Sequence, residues 1–227
     1  MDISRASEPA QTLSQRLREG TAHAHREAES TPWATALATA SAPAPAYAAY
    51  LEALVLVYDA LEPAVARHAS HPALAPVADP RLHRGSALRG DLRVWGRQEE
   101  TADAAGARLA AERYAARIGQ AADQDPSLLV AHHYVRYLGD LSGGQVIASA
   151  WRRRGLHDGL ALYDFSDLET ATGRGGASLV PYVRGYRASL DRIPADHEAV
   201  ARLVDEAVAS FQLTTAIFEA LAPLTGD

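Results

Sequence analysis

The chain has 227 residues, 48% of them hydrophobic, with 22 basic against 28 acidic side chains and a formal net charge of −6 at pH 7. That length buries a sizeable core as one domain, and the acidic balance argues against nucleic acid, which selects a basic domain or face. The absence of cysteine excludes disulfides and thiolate ligands, so any metal must use histidine or carboxylate, and a cytoplasmic protein is expected.

Residues 1–10, MDISRASEPA, lack the basic and then apolar build of a secretory leader and read as a disordered lead-in to a single domain over residues 11–224. Leu13 and Leu17 open a helix over 11–29 that only Gly20 interrupts. Leu51, Leu54, Val55, Tyr58 and Leu61 make the apolar face of a long helix from Pro45 to His68, which Pro63 is placed to kink or split. A proline-rich loop over 69–85 leads to a short helix ending at Gly96, and a further helix runs over 101–121. Past a central stretch, 125–151, come an irregular segment rich in glycine and charge over 155–178 and two closing helices, Leu179–Leu190 and Asp196–Leu221. With no sustained alternation of polarity, no hairpin dipeptide and no repeat, the fold class is all-α. No run of about 18 apolar residues occurs, so no membrane anchor is expected.

The central stretch, DPSLLVAHHYVRYLGDLSGGQVIASAW, opens with Asp125 as N-cap and Pro126 at the first helical position. Leu128, Leu129, His132, Val135 and Leu138 recur at helical spacing, and the apolar pattern resumes at Val146 and Ile147. Between them lie Gly139, Gly143 and Gly144, each costing about 1 kcal/mol against alanine, so the helix is expected to bend there. Gly139 and Gly143 share a face and offer bare backbone to another helix, a phosphate or a flat ligand. Close helix packing accounts for the glycines as well as a ligand does. A phosphate loop does not, because Gln145 and Val146 stand where Lys and Ser or Thr would follow the last glycine.

His23 and His25 point roughly 200° apart around a helix, so at most one can serve a given metal. Glu29, four residues after His25, is spaced to accept from the second ring nitrogen, although an exposed surface pair has the same spacing. None of the nine histidines has Glu three positions before it, which excludes a carboxylate di-iron bundle. Asp140, read alone, could cap the second half of its helix.

Together YLGDLSGGQVIA with HHYVR before it, TAHAHREAE, LVYDALE, LHRGSALRGDL and SFQLTTAIFEAL resemble heme oxygenases of the soluble bacterial type, over about residues 13–221. The resemblance implies a single all-α domain in which heme b, both substrate and cofactor, is sandwiched between a proximal helix and a kinked glycine-rich distal helix. It implies cleavage of heme by O2 and reducing equivalents to biliverdin, expected as the IX-alpha isomer, with carbon monoxide and ferrous iron. A ferredoxin or flavoprotein reductase would supply the electrons.

By the same resemblance His25 ligates the iron and Glu29 orients it, while His132 and His133 are not ligands. Asp140, Arg136, Tyr58 and Tyr114 form a catalytic network joined through hydrogen bonds and water. Gly139, Ser142, Gly143 and Gly144 border the heme, Arg18, Tyr134, Arg184 and Arg187 serve its propionates, and Phe211 packs beside it. Two positions depart from the family: Ala22, where some members carry a propionate-binding lysine, and Thr214, where an asparagine is often found.

Overall fold

Thr12 starts the first helix with a reciprocal cap, its hydroxyl accepting from the Gln15 N–H at 3.4 Å while Gln15 Oε1 accepts from the Thr12 N–H at 3.0 Å. The computed structural model describes residues 11–96, 102–171 and 177–225, so the lead-in expected over 1–10 lies outside the described residues. The helix expected over 11–29 is two, α1 (Leu13–Gly20) and α2 (Ala22–Glu29), parted at Thr21, whose hydroxyl donates to the Leu17 carbonyl at 2.7 Å. A helix absent from the periodicity reading follows, α3 (Pro32–Ala38), capped by Thr31 with proline at its first position.

Pro63 neither ends nor splits α4 (Ala44–Arg67), which buries Leu51, Leu54, Val57, Tyr58 and Leu61. Gly96, at φ 77°, closes α5 (Gly85–Trp95), and α6 (Ala102–Gln124) runs back along α4. The start signal at Asp125 and Pro126 serves a 3-10 turn over Pro126–Leu128, after which α7 (Leu129–Arg153) continues unbroken through all three glycines. Packing on both sides, against α4, α6 and α9, holds the helical hydrogen bonding that propensity alone would weaken. The chain closes with α8 (Val180–Leu190) and α9 (His197–Leu221), the latter capped by Asp196 on the Ala199 N–H at 2.8 Å.

The core runs from Leu13 to Leu221, with Trp33, Trp151, Tyr47 and Tyr58 among its largest fully buried side chains. α9 has the length and apolar composition of a membrane span, but it lies against α1, α2, α3, α4, α6 and α7. Trp151 Nε1 donates to the Leu37 carbonyl at 2.9 Å and Arg154 Nη1 to the Ala40 carbonyl at 2.9 Å, which pins α3 over the C-terminal half of α7.

The segment 155–178 is less irregular than its composition implies. Two 3-10 turns, Ala161–Tyr163 and Ser166–Leu168, precede a two-residue antiparallel pair, β1 (Thr170–Ala171) with β2 (Ala177–Ser178), the only strand pairing among the described residues. The Asp91 carboxylate accepts the Ala161 and Leu162 N–H groups, each at 2.8 Å, and Trp95 Nε1 donates to the Gly159 carbonyl at 2.8 Å. Gly159 sits at φ 74° with the Trp95 ring packed where a side chain would project, so this turn needs glycine.

Candidate functional site

α2 contributes one wall of an interior slot through His25, Ala28 and Glu29. His25 Nδ1 lies 3.2 Å from Glu29 Oε2 one helical turn on, which leaves Nε2 as the ring nitrogen for a ligand. Phe211 from α9 meets the imidazole edge-on, with ring centroids 5.3 Å apart at 80°. His23, two residues earlier, turns instead to Glu27 at 3.6 Å and stays in solvent.

α7 contributes another wall, with Val135, Arg136, Gly139, Asp140 and Gly143 all facing the same cavity of about 460 Å³. A Cβ built at Gly139 or Gly143 meets nothing within 4 Å, whereas one at Gly144 would stand 2.6 Å from Tyr163 Cδ1. The three glycines thus divide. Gly144 allows an aromatic ring to press on the helix backbone, which is the packing explanation, and Gly139 with Gly143 keeps an open strip of backbone on the slot. A second cavity of about 440 Å³ shares His25, Glu29, Val135, Gly139, Gly143 and Phe211 with the first, so the two make one slot with a mouth. Arg18, Tyr134, Ser142 and Arg187 stand at that mouth. Such volumes suit a flat organic ligand of drug size or somewhat larger.

Asp140 is buried where the slot meets α4. Tyr58 donates a short hydrogen bond to its Oδ2, and Arg136 Nη2 lies 3.5 Å from its Oδ1. Burial raises the Asp140 pKa above that of an ordinary aspartate, and the Arg136 charge, the Tyr58 hydrogen bond and Arg84 oppose the rise. Arg136 itself is buried, 5.4 Å over the Tyr58 ring, with its Nε lacking a protein partner among the described residues. The result is a charged pair and a phenol at the edge of an apolar slot, able to bind water and pass a proton.

Residues 11–220 match the sequence profile described as heme oxygenase. The chain belongs to the heme oxygenase family. It is 34% identical over 215 residues to heme oxygenase 1 of Synechocystis sp., covering 92% of this chain and 84% of that protein. It is also 34% identical over 218 residues to the heme oxygenase of Porphyra purpurea, covering 92% and 86%. The crystal structure of the Synechocystis enzyme in complex with heme superposes with a TM-score of 0.82 at 30% identity, covering 95% of this chain and 94% of that one. The heme oxygenase of Leptospira interrogans superposes at 0.81 with 31% identity, covering 92% and 99%.

Within this heme oxygenase the structure gathers His25, Glu29, Gly139, Gly143, Gly144, Asp140, Arg136 and Phe211 on one slot, with Tyr58 bonded to Asp140, and Arg18, Tyr134, Ser142 and Arg187 at its mouth. Two expected residues stand elsewhere. Arg184 lines the neighbouring groove with Leu179, Val180 and Gln145, a groove that Ser142 and Arg187 of the mouth also border. Tyr114 makes its direct bond to Ser210 on α9, the helix on which α6 packs, with the Arg136 charge close enough to act on the phenol.

Both histidines of α7 are buried in the core away from the slot, and His132 Nδ1 has no protein hydrogen-bond partner among the described residues. His132 Nε2 lies 2.8 Å from Glu206 Oε1, a carboxylate also held by Arg117 from α6, and its pKa is pulled down to about 2 by hydrogen bonds from His132 and Arg117 that outweigh its burial. His133 Nδ1 pairs with the Tyr186 hydroxyl at 2.7 Å, the rings stacked at 5°, and burial pushes its pKa down to about 3.

Sequence reasoning missed Tyr50 and Tyr163, which line the slot beside Arg136 and Asp140. For Tyr50 a signal existed: it precedes Tyr58 by eight residues, two turns back on the buried side of α4. For Tyr163 none did, because it sits in a segment without periodicity.

Proposed function

We propose that the chain binds heme b in the slot between α2 and α7 and, with dioxygen and reducing equivalents, cleaves it to biliverdin, carbon monoxide and ferrous iron. The observation that carries this is the pairing of His25, its Nδ1 committed to Glu29, with the bare backbone of Gly139 and Gly143 across one slot. Heme supplies the iron at which dioxygen is reduced and the ring that is oxidised. His25 Nε2 would hold that iron, and Glu29, by accepting from Nδ1, fixes the tautomer and the plane of the imidazole.

On the other side Gly139 and Gly143 leave space that any side chain would fill. Asp140, held by Tyr58 and Arg136, keeps water in that space and donates the proton that the oxidation consumes. At the mouth the guanidinium groups of Arg18 and Arg187 suit the two propionates, which orient a nearly symmetric disc and favour the IX-alpha isomer. A ferredoxin or flavoprotein reductase as electron donor, and residence in the cytoplasm, complete the proposal; the cysteine-free sequence fits that compartment.

The test is to add hemin to the protein, then a reductant in air, and follow the visible spectrum with chromatography of the product. Soret decay with a rising bilin absorbance is expected. A Soret band that persists under reductant and oxygen would make this a heme carrier, and no Soret band would end the heme reading.

A further inference from the structure

Three tyrosines outside the machinery described so far meet beside the Asp140–Arg136 pair. Tyr50 and Tyr163 line the cavity, and Tyr47 is buried behind them with its ring 6.1 Å from that of Tyr50. The hydroxyls of Tyr47 and Tyr163 are buried, and neither makes a well-directed hydrogen bond to a protein group among the described residues. Tyr163 is within side-chain hydrogen-bond reach of both Tyr47 and Tyr50, and a row of three phenols makes at most two bonds among its members, which leaves one of three O–H donors for water. Buried polar groups in native proteins are completed, commonly by an ordered water, and Tyr50 and Tyr163 line the same cavity as Asp140 and Arg136.

The placement of Tyr163 is tightly determined. Asp91 takes the two preceding N–H groups at 2.8 Å each, and Gln145 Nε2 donates from α7 to the Tyr163 carbonyl at 2.9 Å. Its ring then rests on the backbone of Gly144, where a Cβ would stand 2.6 Å away. Burial, first of all, holds the Tyr50 and Tyr163 phenols above their usual pKa, with Asp140 adding to the effect, so both remain neutral donors.

We propose that Tyr163, with Tyr50 beside it and Tyr47 behind it, holds water on the cavity side of the Asp140–Arg136 pair. These phenols form a second arm of the proton-delivering network, separate from Tyr58. Tyr163 is a positioning residue: it acts through the water it holds and through Asp140. The inference rests on the heme reading above.

The test is a pH titration of the visible spectrum of the hemin complex, comparing the wild-type chain with Tyr163→Phe and Tyr47→Phe, together with the melting temperature of each protein without hemin. Loss of the water-holding hydroxyl shifts the spectral midpoint in Tyr163→Phe by about half a pH unit to one unit, the equivalent of one hydrogen bond, and Tyr47→Phe moves it in the same direction. Should Tyr163→Phe fail to fold, Tyr50→Phe reads the same arm with the same expected shift. Altered melting with an unmoved midpoint means that the phenols only pack, and overturns the proposal. If the wild-type protein forms biliverdin while the midpoints stay put, the second arm alone falls; if it gives no Soret band, the heme reading falls and the arm with it.

Discussion

Tyr58 on α4 donates its phenolic hydrogen bond to Oδ2 of Asp140, a carboxylate 82 residues further along the chain. The bond ties the helix that forms the back of the core to the glycine-bearing helix of the slot. It also fixes which Asp140 oxygen remains for Arg136, whose Nη2 lies 3.5 Å from Oδ1.

Replacing Asp140 should therefore separate catalysis from stability. Asp140→Asn keeps one acceptor oxygen for Arg136 and turns an N–H donor toward the Tyr58 oxygen, so it should lose less stability than Asp140→Ala, which leaves Arg136 as a buried charge without its carboxylate at a cost of about 3–5 kcal/mol. Both variants should still give a Soret band with hemin, yet make biliverdin at least about 100-fold more slowly, as expected for loss of a positioned proton donor. Chemical denaturation and single-turnover product assays check the two halves. Wild-type biliverdin formation by Asp140→Ala would reduce Asp140 to a structural role.

His25→Ala should abolish the iron spectrum of the native complex while the apolar slot still takes up some hemin, and added imidazole should partly restore it. His23→Ala, with its ring in solvent beside Glu27, should leave the spectrum alone. Glu29→Gln lies between them, weakening imidazole orientation; a loss of about 10-fold or more in hemin affinity or activity is expected. An intact native spectrum in His25→Ala would remove it as the ligand.

Alanine at the three glycines should give opposite results at adjacent positions. Gly143→Ala places its methyl in open space and raises helix propensity by about 1 kcal/mol, so the protein without hemin should melt higher. The same methyl projects into the slot, so hemin affinity and turnover should drop. Gly144→Ala must displace the Tyr163 ring and should melt lower despite the same gain in propensity. Melting curves with and without hemin distinguish the two, and identical behaviour would show that the slot is not where Gly143 faces.

Stability should fall in acid well before carboxylates in general titrate. His133 has a folded pKa of about 3 against 6.5 unfolded, so below about pH 6.5 the unfolded chain takes up a proton that the folded chain refuses. The stability it contributes is present above 6.5 and is lost at up to about 1.4 kcal/mol per pH unit as pH drops toward 3. Glu206, lowered to about 2 from 4.5, adds a second loss of the same sign below pH 4.5. His133→Phe should flatten the profile between pH 6.5 and 4.5 while lowering stability at pH 7, because the Tyr186 hydroxyl loses its partner. Melting temperature measured every half unit from pH 7.5 to 4 checks this, and an unchanged slope would mean that His133 is not the group responsible.

What the sequence by itself determined is what repeats locally. The apolar spacing of Leu51, Leu54 and Leu61 and the stop at Gly96 each depend on residues within a turn or two, so α4, α5, α8 and α9 were visible within a few residues of their ends. The His25–Glu29 contact was visible for the same reason, since residues four apart on a helix are neighbours whatever the rest of the chain does. Tertiary structure decided what depends on facing elements. Gly139, Gly143 and Gly144 look alike in the sequence, yet Tyr163 closes over only the last of them, and α7 stays helical through all three, where propensity is weak, because its neighbours support it. Tyr114 turning to Ser210 and Tyr163 arriving from an aperiodic turn were settled the same way. Side-chain direction follows from helix phase, but the partner met along that direction is fixed by packing between segments tens of residues apart.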